Sequence, residues 1–134
     1  MECYDKAIEL DSTDSLAYNN KGNVFFIKMN YEKATDCFNM ALELNQAFSI
    51  AHYNKGIALC KLMQYENAYE SFESALELDS NFLNALNNKG VVLSRLNKID
   101  ESLECYERAI SLNPNYMLAV INKNETLTYK VSLV

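Results

Sequence analysis

Glycine occurs three times and proline once in 134 residues, which leaves little room for long loops or many tight turns, so helices should dominate. Basic residues are outnumbered by acidic ones, 12 against 18, for a net charge of −6. That balance argues against nucleic acid, which needs a basic footprint. No apolar run is long enough to span a bilayer, and no charged-then-apolar leader precedes a cleavage site. The expectation is a soluble, cytoplasmic chain with no membrane contact. The single histidine, His52, offers no partner for a nucleophile. No metal-spaced cluster and no phosphate-cradling glycine loop occurs, so neither catalysis nor a cofactor is expected.

What the chain does have is repetition. The triplet Asn54-Lys55-Gly56 recurs as Asn20-Lys21-Gly22 and as Asn88-Lys89-Gly90, and Asn122-Lys123-Asn124 follows at the same spacing. The glycines fall at 22, 56 and 90, a constant step of 34 residues. A fixed period of this length marks a stack of like units, each touching only its neighbours. Nearly half of the residues are apolar, ample for burial. The apolar spacing predicts helices over 14–28, 31–44, 48–62, 65–78, 82–96 and 99–112, with a turn at Met29-Asn30. Pro114 ends the third pair, a last helix runs from 115 to about 129, and 131–134 have no helical continuation. Residues 1–10 read as a second helix of a repeat, because Tyr4 and Ala7 align with Phe38 and Ala41. About eight helices result.

The slots resemble those of the tetratricopeptide repeat family. Four before the glycine stand Tyr18, His52, Leu86 and Val120, and three after it Phe25, Leu59, Leu93 and Leu127. The second helices open with Tyr31, Tyr65 and Ile99 and continue with Ala34, Ala68 and Ser102. Phe38, Phe72 and Tyr106 follow, and then Ala41, Ala75 and Ala109. The family's closing proline survives only as Pro114. The resemblance implies an all-α solenoid, a right-handed superhelix of antiparallel helix pairs. Its organisation is a single array over 1–134: a truncated repeat at 1–14, full repeats at 15–48, 49–82 and 83–116, and the first helix of a further repeat with a tail at 117–134. Glycine and alanine fit where two helices cross closely, aromatics fill the wedge between pairs, and His52 in the large-residue slot is expected in the core. Cys3, Cys37 and Cys105 share one slot of different repeats, too far apart for a disulfide, so free buried thiols in a reducing compartment are expected.

Six and three residues before the glycine slot, and one and four after it, lies one continuous stripe of each first helix. In the family this stripe lines a concave groove that accepts ligands. Here it carries Leu16, Asn19, Asn23 and Phe26; Ile50, Tyr53, Ile57 and Cys60; Asn84, Asn87, Val91 and Ser94; and Leu118, Ile121, Glu125 and Thr128. Large apolar residues in a concavity suggest a binding site, although Ile57 and Val91 could equally pack within a tight superhelix. Two before the glycine slot is always asparagine: Asn20, Asn54, Asn88 and Asn122. A carboxamide can pair with a peptide's N–H and C=O together, or tie one helix to the next. The lysine column beside it (Lys21, Lys55, Lys89, Lys123) is expected to lay its methylenes on the helix pair, with its ammonium outward.

These features imply a protein–protein interaction module that binds a peptide or helical segment in its groove. The alternatives are a self-associating structural scaffold and a fragment of a larger enzyme or co-chaperone. A homo-oligomer through the terminal helices is a further expectation, because the last helix carries Leu118, Ala119, Val120, Ile121 and Leu127 with no second helix to cover them. One subclass of the family grips acidic C-terminal tails with lysine, arginine and asparagine. Asn23 and Asn54 match its asparagines, but its cationic slots hold Asn19, Asn84 and Asn88. Apolar or neutral segments are therefore the expected ligands.

Overall fold

The computed structural model describes residues 14–133. Within them the chain forms seven helices and no strand. These are α1 (Ser15–Ile27), α2 (Tyr31–Leu44), α3 (Ser49–Lys61), α4 (Tyr65–Leu78), α5 (Leu83–Arg95), α6 (Ile99–Leu112) and α7 (Met117–Ser132). The helix expected over residues 1–10 lies outside the described residues. No helix among those described is long and apolar enough to cross a membrane.

Each helix packs most closely on the next, and successive first helices α1, α3, α5 and α7 also touch. Successive second helices α2, α4 and α6 do not. The turn inside each pair has one geometry three times over. Met29, Met63 and Asn97 take left-handed backbone angles, with φ of 62°, 60° and 62°. Their N–H groups donate to Phe26, Cys60 and Ser94, and the next residues donate back to Phe25, Leu59 and Leu93. This double bond pattern satisfies the last carbonyls of a helix. Between pairs a second device recurs. The side chains of Asn45, Asp79 and Asn113 accept from the backbone N–H of Ala47, Asn81 and Asn115, at 3.1, 3.2 and 3.0 Å. These side-chain turns supply the bend whether the proline slot holds Pro114 or, in the other two copies, Gln46 and Ser80.

The core is a row of small clusters. Phe38 packs with Ala34 and Ala58 over Phe25 and Phe26, and Phe72 with Leu59, Ala68 and Val92. Leu86, Ala109 and Ala119 form the last. The glycines serve the aromatics directly: a Cβ on Gly22, Gly56 or Gly90 would stand 2.5, 2.6 or 2.5 Å from a ring carbon of Phe38, Phe72 or Tyr106. The close approach is thus of ring to backbone, rather than of two backbones as the helix-crossing argument supposed.

Three further expectations change. The last helix runs on to Ser132, because no glycine or proline interrupts it and Lys130 pairs with Asp100 of α6 at 2.6 Å. Ala119 is fully buried with Leu86 and Ala109, and Val120 is half-buried, so the uncovered part of α7 is narrower and centres on Leu118, Ile121, Leu127 and Val131. His52 is half-buried rather than in the core, with Nε2 3.0 Å from the Gln46 carbonyl oxygen. Cys37, Cys60 and Cys105 are free thiols; Cys3 lies outside the described residues.

Candidate ligand groove

The stripe of first-helix residues divides by depth. Asn19 and Asn87 are buried, while Asn23, Phe26, Tyr53, Ile57 and Val91 are half-buried. Leu16, Ile50, Asn84, Leu118 and Ile121 are exposed. Burial of the two asparagines follows from their bonding. Asn54 Nδ2 donates to Asn19 Oδ1 at 3.1 Å, and Asn122 Nδ2 donates to Asn87 Oδ1 at 2.9 Å. Asn88 Nδ2 donates to the Tyr53 hydroxyl at 3.2 Å. One rung therefore ties each first helix to the one before it, always from the asparagine two before the glycine slot. Asn20, half-buried, heads the column on α1. The Nδ2 atoms of Asn54, Asn88 and Asn122 are committed to these rungs, whereas their Oδ1 atoms accept nothing among the described residues.

Tyr53 holds the centre. Its ring meets Phe82 edge-on at 4.8 Å and tilts against Phe72 at 6.0 Å. Burial raises the pKa of its hydroxyl, and the bond from Asn88 offsets part of that rise. Asn84 accepts from the Tyr116 hydroxyl across the adjoining pair.

Two hollows open along the stripe. The first, about 290 Å³, is lined by Ile57, Cys60, Lys61, Tyr65, Phe72, Asn88, Val91 and Arg95. The second, about 460 Å³, begins at Val91, Ser94 and Arg95 and ends against Asn122, Glu125 and Tyr129. Val91 and Arg95 belong to both, so the hollows adjoin. Burial pushes the Cys60 thiol up from 9.0 to about 11 against the pull of Lys61 and Arg95. It is therefore a neutral, apolar part of the wall at neutral pH. Sequence reading assigns Tyr65 and Phe72 to the packing of the second helices rather than to the groove, and it does not single out Lys61 and Arg95. The slot five after the glycine holds Ile27, Lys61, Arg95 and Tyr129, and its two central cations were the available signal. The outward lysine column is partly spent on ion pairs: Lys89 meets Glu73, and Lys123 lies 3.7 Å from Glu107.

The sequence pattern of the family described as tetratricopeptide repeat matches residues 15–48, 49–82 and 83–116. No curated protein matches the chain. Among solved structures, the second TPR domain of human RPAP3 in complex with the HSP70 peptide SGPTIEEVD is similar, with a TM-score of 0.81 and 25% identity, over 84% of this chain and 93% of that one. The first TPR of Spaghetti (RPAP3), bound to the HSP90 peptide SRMEEVD, is similar with a TM-score of 0.86 at 24% identity, over 90% of this chain and 96% of that one. The TPR domain of Arabidopsis OM64 is similar with a TM-score of 0.83 at 21% identity, over 86% and 95%.

Proposed function

Since the chain belongs to the tetratricopeptide repeat family, we propose that it is a protein-interaction module whose concave face binds an extended peptide or a helical segment of a partner. The observation that carries this reading is the pair of adjoining hollows over Ile57 and Val91, half-apolar and open to solvent. The similar RPAP3 domains hold peptides, which supports a peptide as the ligand here. No catalytic step belongs to this reading, and a reducing, cytoplasmic setting fits its free thiols.

The ligand's chemistry follows from what the groove has already spent. An acidic C-terminal tail needs cations or free amide donors at its carboxylate. The slots that would supply them hold Asn19, Asn23, Asn54, Asn84 and Asn88. Asn19 is buried as an acceptor, and Asn54 and Asn88 donate to neighbouring helices. A carboxylate placed there would lose its hydration without adequate return. The cations Lys61 and Arg95 stand at the ends of α3 and α5, where they can meet one acidic side chain at the rim. We infer a ligand with apolar side chains over Ile57 and Val91 and no requirement for a free C terminus. Calorimetry with SRMEEVD and its C-terminal amide tests this: both should bind weakly and alike. Tight binding that vanishes on amidation would contradict it.

A second reading, self-association through α7, draws on the exposure of Leu118, Ile121 and Val131. Sedimentation should then show oligomers that Leu118→Lys with Ile121→Lys converts to a monomer. A wild-type chain that stays monomeric over a wide concentration range removes this reading.

A further inference from the structure

The outer face carries a polar groove that the repeat pattern does not explain. Because second helices do not touch one another, a furrow lies between α2 and α4 over α3, and another between α4 and α6 over α5. The step of 34 residues lets the two be compared slot by slot. In the later furrow Tyr69, Leu86 and Arg108 occupy the walls, Lys89 is paired with Glu73, and about 200 Å³ remains. In the earlier one the same slots hold Thr35, His52 and Ser74, and about 460 Å³ is open. Tyr69, Leu86 and Arg108 thus give way to smaller or more polar residues, while Leu93 keeps its leucine counterpart, Leu59.

The charges differ in the same direction. Asn39 stands where the next repeat has Glu73, so Lys55, the counterpart of Lys89, has no ion pair among the described residues. Ser71 replaces Cys105. It is 5% exposed, lines the furrow, and its hydroxyl has no hydrogen-bond partner among the described residues. A buried hydroxyl without a partner is unfavourable, and a ligand oxygen would relieve it. An unpaired ammonium, a carboxamide and a hydroxyl lining one furrow are all hydrogen-bond donors, which is the donor set of an oxyanion site.

We propose that this furrow is a second binding site, for a compact oxyanion group, a carboxylate or a phosphate, with Lys55 as counter-charge and Asn39 and Ser71 as neutral donors. It lies on the side of α3 away from Tyr53 and Ile57, so it is separate from the concave groove. Glu70 stands exposed at its margin, and Glu43 and Glu77 line the adjoining hollow. These acids repel an extended polyanion and restrict the site to a small group.

His52 lines both the furrow and the hollow adjoining it and is the only histidine of the chain, so its ring resonances report on this face, and the Asn39 and Lys55 variants tie the response to the furrow's donors. The full chain would be titrated with inorganic phosphate and, separately, acetate, at fixed pH and ionic strength. A saturable shift of the His52 ring with phosphate only assigns the site to phosphate groups, and with acetate only to carboxylates. Asn39→Glu recreates the pair found one repeat later, so it should fold normally and weaken the response at least about tenfold. Lys55→Gln should do the same. Shifts that rise linearly without saturation for both anions, or that persist unchanged in Asn39→Glu and Lys55→Gln, overturn the proposal.

Discussion

Phe72 occupies the place of a side chain on Gly56: a Cβ there would lie 2.6 Å from the ring's Cε1. Phe72 is fully buried among Leu59, Ala68 and Val92, so the ring cannot step aside. Gly56→Ala gains about 1 kcal/mol of helix propensity, while overpacking of this kind costs about 1–3 kcal/mol. A net loss of stability is the expected outcome, and Gly56→Leu should lose more. Phe72→Leu placed on Gly56→Ala should recover part of it, because the smaller side chain vacates the contact. Chemical denaturation of the two single variants and the double variant measures this; a denaturation midpoint unchanged by Gly56→Leu would contradict it.

The asparagine rungs give a second prediction. Asn54→Ala removes the donor to Asn19, whose Oδ1 is buried, and a buried acceptor left alone costs about 1–3 kcal/mol. Asn88→Ala removes a donor from Tyr53, which is only half-buried and can turn its hydroxyl to water. Asn54→Ala should therefore be the more destabilising. Equal unfolding midpoints for the two variants would show that the rungs do not differ as the geometry says.

Much of this was legible in the sequence. Six helix spans follow from the period and from apolar spacing within a residue or so at either end, because each repeat reports the same boundary independently. The seventh helix had no following repeat to mark its end, and its last turn rests on Lys130 reaching Asp100, a contact between residues far apart in the chain. The glycine column pointed to close packing, but sequence could not tell a backbone from a ring as the neighbour. In the groove, the stripe was readable from helical spacing, whereas the depth of each position was not. Asn19 and Asn84 look alike in sequence, yet one is buried under a rung and the other exposed beside Tyr116. Lys61 and Arg95 went unread because only the two central repeats carry a cation in their slot.

The thiols set the response to alkaline pH. Burial raises Cys60 to about 11, and it raises Cys105, Tyr53 and Tyr106 as well. Burial works most strongly against the Lys89 charge, but the bond to Glu73 and the charges of Glu73, Cys105 and Tyr69 together outweigh it and leave that pKa raised. A raised folded-state value means that the unfolded chain releases its proton first. Stability should hold below pH 9 and fall as pH rises from 9 towards 11. Alkylation of Cys60 should be slow at neutral pH and accelerate over the same range. Rapid labelling of Cys60 at pH 7, read by mass spectrometry of the tryptic peptide, would contradict the assignment.

The left-handed turn residues provide a stability gain. Met63 sits at a φ of 60°, where any Cβ crowds the following carbonyl oxygen and glycine or asparagine is favoured. Its counterpart Asn97 already shows the favoured choice. Met63→Gly should stabilise the fold by about 1 kcal/mol, and Asn97→Met should cost a similar amount. Denaturant midpoints moving in the same direction for both would contradict the turn argument.

The central claim is that the hollows over Ile57 and Val91 hold a largely apolar segment of a partner, extended or helical. The most direct measurement is calorimetric titration of a peptide selected from a random display library on the immobilised full chain, against wild type and against Ile57→Glu with Val91→Glu. The account predicts a neutral, apolar peptide without an essential C-terminal carboxylate, bound by wild type and weakened at least about tenfold by the double substitution. A selected peptide that depends on an acidic C terminus, or that binds the double variant as well as wild type, would contradict it.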